Sequence, residues 1–543
     1  MPDIDTAYYA GLRDTDNAEI AANFRWRVPE RMNLAVQVCD RYRDSATRAI
    51  RWLGRDGTAS DIGFAELADL SDRVAGALVS LGVSRGDRVF TMMPRLPVHW
   101  AVLLGTLKVG AVWSCLSTTF GPAGVTVRVE DAHPAVIVTS TAYEPTVRAA
   151  ALAVGATVVL IDDDGPDGLP ARIDAAPPGF EPADTAADDP ALLFYTSGTT
   201  GRPKGSLHGH HLLVGAMALV ALSLDLRPDD TVWPTSDLAW ITGVLLPLGT
   251  LGYGQGFVTY EGEFDAGRWW SIIRDEGVTN LFAVPTAYRM LRAGDDAAAG
   301  GGEPVAIRQL GTVGEPLDPQ TLEWSRSRFG VPIVECYGQT ENGAALCSNR
   351  RDMTIKPGSL GPALPWLTVA VVDESGGELP PGEVGEIVSR PDYPALTLGY
   401  WERPDATSAI LHDGWQWTGD LARIDEDGYF WYHSRRDDVI SSGGYRIGPT
   451  EIEAALLSHP AVLEAGVVGK PDAQRGQIVK AWIALADGHR PSDELVEELK
   501  AHCKRTAGGW NHPREVAFLD ELPKTVTGKI RRVELRGRDT PSG

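Results

Sequence analysis

Cysteine is scarce in this chain of 543 residues: there are five, at positions 39, 115, 336, 347 and 503, odd in number and without paired spacing. That pattern excludes a disulfide-framed secreted domain and a cysteine-built zinc module, and leaves reduced structural thiols. Positive charge is also short, with 50 Lys and Arg against 73 Asp and Glu and a net charge of −23. Such a surface repels nucleic acid and anionic membrane, so anionic substrates must be held by a few local cations. Long apolar runs are missing. No segment approaches a membrane span, and the acidic start MPDIDTAYYA lacks the apolar core of a signal peptide, so the expectation is a cytoplasmic protein. No internal repeat or long low-complexity tract is present, which excludes a solenoid.

What the chain does have is size and apolar content: 43% hydrophobic residues over 543 positions, ample for several packed cores. Apolar spacing predicts a helix over 64–81, a strand over 87–92, a helix over 98–110, and strands over 135–139 and 156–161. This alternation predicts an α/β fold on a large parallel-type sheet. A Pro-, Asp- and Gly-rich stretch at 162–190 reads as a surface meander without a domain boundary. Strands follow at 231–234, 279–285, 309–313 and 332–337, alternating with helices at 264–275, 286–292 and 319–329. From 366 the texture changes to short strands between Gly and Pro turns, a smaller β-rich subdomain. A final unit from 437 holds a helix at 449–458, strands at 462–468 and 478–484, a helix at 492–504 and a basic tail. The first 43 residues say little, with Phe24, Trp26 and Val28 their only anchors.

The chain is organised around YTSGTTGRPKG at 195–205. Its small and hydroxyl residues (Thr196, Ser197, Gly198, Thr199, Thr200, Gly201) leave backbone N–H groups uncovered, and Lys204 adds a cation, a set that suits phosphate oxygens. Lys204 stands between Pro203 and Gly205, so this is not the phosphate loop that ends in Gly-Lys-Ser/Thr. The apolar run before it and the apolar-rich 211–226 after it predict a loop joining a buried strand to a helix start. Downstream, Gly314-Glu315-Pro316 and Tyr337-Gly338-Gln339-Thr340-Glu341 each follow a predicted strand. Carboxyl ends of neighbouring parallel strands are where such sheets gather ligands. Trp417-Thr418-Gly419-Asp420 offers a carboxylate able to accept from two sugar hydroxyls, though alone it reads as a turn. SRRDDVISSGGYRIGPTE at 434–451 and LPKTVTGK at 522–529 complete the set.

In order and spacing, these segments resemble the adenylate-forming enzymes: acyl-CoA synthetases, peptide-synthetase adenylation domains and firefly-type luciferases. The resemblance spans the phosphate loop to Lys529 and looks closest to medium-chain acyl-CoA synthetases and acetyl-CoA synthetase-like proteins. It implies an α/β fold with a large N-terminal domain of stacked α/β sheets plus a β-rich subdomain, and a small mobile α+β C-terminal domain. The implied bounds are 1–436 (β-rich 365–436) and 437–543, hinged at Asp437. It further implies Lys529 as the catalytic lysine, aided by Thr340 and Lys204. Gly314, Glu315, Pro316, Glu335, Cys336, Tyr337 and Thr340 would hold AMP, with Asp420 and Arg435 at the ribose and Arg446 near phosphate. Glu341 and Thr196 would hold Mg²⁺, and Gly443, Gly444 and Tyr445 would line the coenzyme A passage. The family's usual glycine before Arg435 is Ser434 here.

The implied activity is ATP-dependent acid:CoA ligation through an acyl-adenylate, with ATP, Mg²⁺ and coenzyme A. In acetyl-CoA synthetases a tryptophan stands at the position of Gly338 and closes the acyl pocket. Glycine therefore implies open space, acids larger than acetate, and walls from Trp240, Ile241, Thr242 and Val313. On that reading, Gly338→Trp should shift preference toward acetate. Short- or medium-chain and benzoate-like acids fit the resemblance. Delivery to an amine or a carrier-protein thiol, and a silent acyl-nucleotide binding protein, stay open, as do monomer and homodimer.

Overall fold

A computed structural model describes residues 1–196, 202–295, 305–442, 445–472, 474–486, 488–506, 512–524 and 530–538, with the side chains of 445 and 446 excepted. Backbone contacts divide the chain into two units. One comprises Met1–Ile355, Leu364–Thr368 and Arg390–Leu411, and the other Lys356–Ala363, Val369–Ser389 and His412–Gly543.

The first unit carries two sheets. In spatial order one runs Cys347–Ser348, Ile333–Tyr337, Gln309–Val313, Asn280–Phe282, Val232–Pro234, Phe257–Tyr260, Arg48–Leu53, Ala59–Gly63. Its inner pairs are parallel and its two outermost pairs antiparallel. The other runs Gly399–Tyr400, Lys204–Gly209, Pro190–Thr196, Val112–Cys115, Arg88–Met92, Val136–Thr139, Thr157–Leu160. Here the first two pairs are antiparallel and the rest parallel. The one large parallel sheet expected from the alternation is thus two, because apolar periodicity marks strands without saying which of them pair.

Local chemistry explains the elements that carry the site. Helix Pro319–Phe329 starts with proline in its first turn, where no N–H is needed, and the Asp318 carboxylate accepts from the Thr321 N–H at 2.8 Å. Gly330 ends it at φ +71°. Helix Leu212–Leu222 is apolar on every side and wholly buried, packing against Ile241–Leu251. Around the first sheet, Trp233, Trp270, Leu281, Leu310 and Ile333 form one core. Beneath it, the Tyr288 hydroxyl donates to the carbonyls of Leu281 and Gly311 at 2.9 and 3.0 Å, tying two strands at their centre. Lys108 is the surprise of helix Pro97–Val109: fully buried, it pairs with Asp40 and Asp72 at 2.6 Å each. The N-terminal anchors Phe24 and Trp26 pack edge to face at 4.8 Å, and Phe24 also meets Trp366 at 5.4 Å.

The second unit holds an antiparallel sheet with the path Gly361–Pro362, Tyr429–Arg435, Trp415–Ile424, Gly385–Ser389, Val369–Val372. It also holds a sheet of Tyr445–Ile447, Ile440–Ser442, Gly476–Leu485 and Val462–Asp472, with Glu515–Phe518 alongside Gly476–Leu485. Helices Pro449–Leu457 and Asp493–Thr506 cover the second of these through Ile452, Leu456, Leu495 and Leu499. Contacts therefore group the β-rich strands with the C-terminal sheet, whereas sequence texture draws its line at 437. Among the described residues no helix is long and apolar enough to cross a membrane.

Candidate active site

In the first unit, strands Gln309–Val313 and Ile333–Tyr337 run parallel and in register, Thr312 beside Glu335 and Val313 beside Cys336. Their carboxyl ends therefore deliver Gly314-Glu315-Pro316 and Gly338-Gln339-Thr340-Glu341 side by side, as the strand argument requires. The Glu315 carboxylate accepts from the Thr286 hydroxyl at 2.7 Å and from Arg289 at 2.8 Å, two partners the sequence did not single out. Thr340 and Glu341 lie in a tight turn, Thr340–Asn342, in which the Asn342 side chain accepts from the Gln339 N–H at 3.0 Å. Burial in the sheet pushes the Glu335 carboxyl up to about 8, against a Leu317 N–H that favours the ionised form. Burial likewise pushes the Cys336 thiol up to about 11, which makes it a packing group rather than a nucleophile.

The phosphate loop is framed differently from the expectation. Pro190–Thr196 is followed by a second strand, Lys204–Gly209, paired antiparallel to it with Thr196 opposite Lys204. The loop is thus the tip of a hairpin, and the helix begins only at Leu212. The apolar run at 211–226 gave no warning of this, because Lys204–Gly209 is short and polar-looking. Residues Ser197, Gly198, Thr199, Thr200 and Gly201 lie outside the described residues. One side of the hairpin reaches the YGQTE turn: the Thr196 hydroxyl donates to Glu341 Oε1 at 3.4 Å. The Tyr400 hydroxyl donates to the same oxygen at 2.7 Å, and Lys204 Nζ lies over the Tyr400 ring, 5.0 Å from its centre. A cation, a carboxylate and a hydroxyl therefore converge around one aromatic ring. Mg²⁺ asks for hard oxygens and keeps most of its shell from phosphate and water, so Glu341 with Thr196 fits it. Among the described residues no group of three or more His, Cys, Asp or Glu could hold a metal without such outside ligands.

The candidate acyl-pocket residues Trp240, Ile241, Thr242 and Val313 are all half-buried, at the start of helix Ile241–Leu251 and the end of Gln309–Val313. The expectation of open space at Gly338 is corrected. A β-carbon built there would stand 2.5 Å from the Ala344 carbonyl oxygen and 3.0 Å from Ala345 Cα. The glycine lets the 344–345 backbone pass close behind the YGQTE turn, so its missing side chain is filled by main chain rather than left as a gap.

In the second unit, Asp420 is buried and pairs across its strands with Arg435, at 3.1 Å. The Arg435 guanidinium also donates to the Thr418 carbonyl at 3.2 Å, and the Tyr432 hydroxyl to Asp420 at 3.5 Å. Behind them Glu386 accepts from the Gly419 N–H at 2.7 Å and pairs with Arg436 at 3.0 Å. Ser434 pairs with Leu421 beside a break in the strand register, without a left-handed backbone, and its hydroxyl is buried with no hydrogen-bond partner among the described residues, so the backbone accepts serine but the hydroxyl is a cost that glycine would avoid. Asp437 lies in the short turn Arg436–Asp438. Its neighbour Asp438 pairs with Arg536 and, at 3.0 Å, with Arg532, which also binds Glu453 at 2.6 Å. Neither Glu386 nor this arginine-carboxylate group carried a signal in the sequence beyond scattered charge. Gly443, Gly444 and Lys529 lie outside the described residues. Tyr445 and Arg446 are described as backbone only, in a strand paired with Ile440–Ser442.

The model of the AMP-binding enzyme family matches residues 39–401, and that of the AMP-binding enzyme C-terminal domain matches 451–529. The chain belongs to the AMP-binding enzyme family. It is 35% identical over 541 residues to the acetyl-coenzyme A synthetase of Bacillus subtilis (strain 168), covering 97% of this chain and 94% of that protein. Among solved structures, the acyl-CoA synthetase of Brucella canis is 35% identical at a TM-score of 0.74, over 98% of both chains. A benzoate CoA ligase from Burkholderia xenovorans LB400 is 28% identical at a TM-score of 0.84, covering 93% of this chain and 100% of the other. The family match and the CoA-ligase relatives together give the reaction class: this AMP-binding enzyme is an AMP-forming acid:CoA ligase, using ATP and coenzyme A through an acyl-adenylate.

Proposed function

We propose that this ligase activates a short- or medium-chain or aromatic carboxylic acid in the cytoplasm, with Thr196, Lys204 and Glu341 serving the phosphates and Lys529 the reacting centre. The observation that carries the reading is the convergence of Thr196, Glu341, Tyr400 and Lys204 at the base of the phosphate hairpin. The choice of acids draws on an acetyl-coenzyme A synthetase and a benzoate CoA ligase as relatives on either side of the range.

In the first half-reaction an oxygen of the acid bonds to the α-phosphorus of ATP while the bond to the bridging oxygen breaks, and pyrophosphate leaves with that electron pair. In the second, the coenzyme A sulfur bonds to the adenylate carbonyl carbon, AMP leaves, and the thiol proton passes to solvent. Lys204 and Lys529 offset anionic charge, and positioning supplies most of the rest. Bound at Glu341 and Thr196, Mg²⁺ would neutralise phosphate charge. Asp420 and Arg435 hold the ribose, while Tyr337, Glu335 and the Gly314-Glu315-Pro316 turn flank the base. Residues 437–543 form the moving domain. Turning at Asp437, they withdraw Lys529 and bring in the Gly443-Gly444 edge, so that one pocket serves two reactions.

Lys529→Ala tests the assignment. Adenylate formation should fall by about 10²- to 10³-fold, and thioester formation from supplied acyl-adenylate should persist. Equal loss in both half-reactions would remove Lys529 from the role given to it.

A further inference from the structure

We propose that Tyr400 is a positioning residue for adenylate formation, its hydroxyl fixing the rotamer of Glu341 and its ring face seating Lys204. The proposal rests on reading Glu341 and Lys204 as the nucleotide-handling pair, and it adds the side chain that sets the distance between them. Tyr400 is half-buried, and its ring lies under the ammonium of Lys204 at 5.0 Å. Its hydroxyl bonds the carboxylate at 2.7 Å, a short bond to a charged acceptor. Both hydroxyls that reach Glu341, those of Tyr400 and Thr196, fall on Oε1. Among the described residues none hydrogen-bonds Oε2, so the tyrosine, by holding Oε1, leaves the second oxygen to a cation.

The backbone around Tyr400 is built to hold it still. Gly399–Tyr400 forms a short strand on Lys204–Gly209, with Tyr400 opposite Ser206. Gly399 takes φ +126°, a conformation closed to other residues, and a β-carbon there would press on Thr407 at 2.9 Å. The Tyr400 N–H donates to Thr407 Oγ1 at 2.9 Å, and the Trp401 N–H to the Gly205 carbonyl at 2.8 Å. Three residues before Tyr400, the Thr397 N–H donates to the Glu341 carbonyl at 2.9 Å. Beyond it, Arg403 pairs with Asp131, whose other oxygen accepts from the Tyr195 hydroxyl at 2.8 Å. The segment therefore bridges the base of the phosphate hairpin and the turn that carries Glu341. A side chain with a merely packing role would not need a hydroxyl at one end and a cation on its face.

The test uses Tyr400→Phe, which keeps the ring, and Tyr400→Leu, which removes it. Melting temperature should be nearly unchanged in the phenylalanine variant. Its half-saturating Mg²⁺ concentration for acid-dependent pyrophosphate exchange should rise roughly ten-fold, the loss expected for one hydrogen bond to a charged group. The extra thermal stabilisation that MgATP gives over ATP with a chelator should shrink in the same variant. Thioester formation from supplied acyl-adenylate should stay at the wild-type rate. Tyr400→Leu should raise the KM for ATP further, since Lys204 loses its seat. Wild-type Mg²⁺ dependence and wild-type MgATP stabilisation in Tyr400→Phe would overturn the proposal. So would an early-melting variant that loses both half-reactions equally, which is the signature of packing alone. Glu341→Gln and Lys204→Ala serve as controls: if both leave adenylation intact, the underlying assignment of the site fails, independently of Tyr400.

Discussion

A methyl group at position 338 separates two accounts of the acyl pocket. The β-carbon of Gly338→Ala would lie 2.5 Å from the Ala344 carbonyl oxygen and 3.0 Å from Ala345 Cα, where ordinary contact begins at 3.4 Å. The obstacle is backbone on the opposing side, so no side-chain rotation relieves it. That backbone is itself held, because the Leu346 N–H donates to the Tyr337 carbonyl at 2.7 Å and Cys347 pairs with Tyr337 in the sheet. Overpacking against a fixed neighbour costs about 1–3 kcal/mol, and this site belongs at the upper end. A turn displaced by even a few tenths of an ångström also carries Thr340 and Glu341 with it, and misplacement of reacting groups is costly in rate. Gly338→Ala should therefore lower the denaturation midpoint and slow pyrophosphate release about ten-fold or more, for acetate and octanoate alike. Gly338→Trp should be worse in both respects. Unchanged stability, with full acetate turnover and loss confined to longer acids, would show that position 338 faces the acyl space and that 344–345 gives way.

Three further outcomes follow from burial and charge. Arg532→Ala takes the cation from the buried Glu453 and leaves Asp438 to Arg536, and should destabilise the protein by about 3 kcal/mol in chemical denaturation, with Arg532→Lys recovering only part. The Glu335 carboxyl is raised from 4.5 to about 8 in the fold, so the stability tied to its neutral form is whole below 4.5 and drains away as pH rises toward 8. Glu335→Gln should thus gain on the wild type by up to about 1.4 kcal/mol per pH unit across that window, and parallel pH profiles would refute the burial argument. Lys108→Met leaves Asp40 and Asp72 with Arg43 as their one shared cation among the described residues, at 4.0 and 2.7 Å. It should cost about 3 kcal/mol in chemical denaturation, and a neutral result would mean that Arg43 alone offsets the two carboxylates.

Where the sequence was legible, the physics was local. The helix at 319–329 announces itself through Asp318, Pro319 and Gly330, and the strands at 309–313 and 333–337 through their apolar runs, so the nucleotide turns fall where expected. Strand pairing is non-local and was not legible. Lys204–Gly209 reads as polar linker until Pro190–Thr196 is laid beside it, and alternation alone merges the two sheets of the first unit, which the family resemblance had already implied as stacked sheets. The same holds at the site. Glu341 and Lys204 stand out by motif, but Tyr400 is distant in sequence and meets them only through a two-residue strand. Gly338 misled for a related reason: a missing side chain says nothing of what fills its place, and here it is the chain at Ala344 and Ala345.

The most direct test of the central claim is product analysis with Mg-ATP across carboxylic acids from acetate to decanoate and the benzoates, with and without coenzyme A. AMP, pyrophosphate and acyl-CoA should form in equal amounts for some acids larger than acetate, with turnover that stops after one adenylate per enzyme when coenzyme A is withheld. Acid-dependent adenylate that coenzyme A does not discharge would point to an amine or carrier-protein acceptor. ATP binding without pyrophosphate release for any acid would contradict the ligase assignment itself.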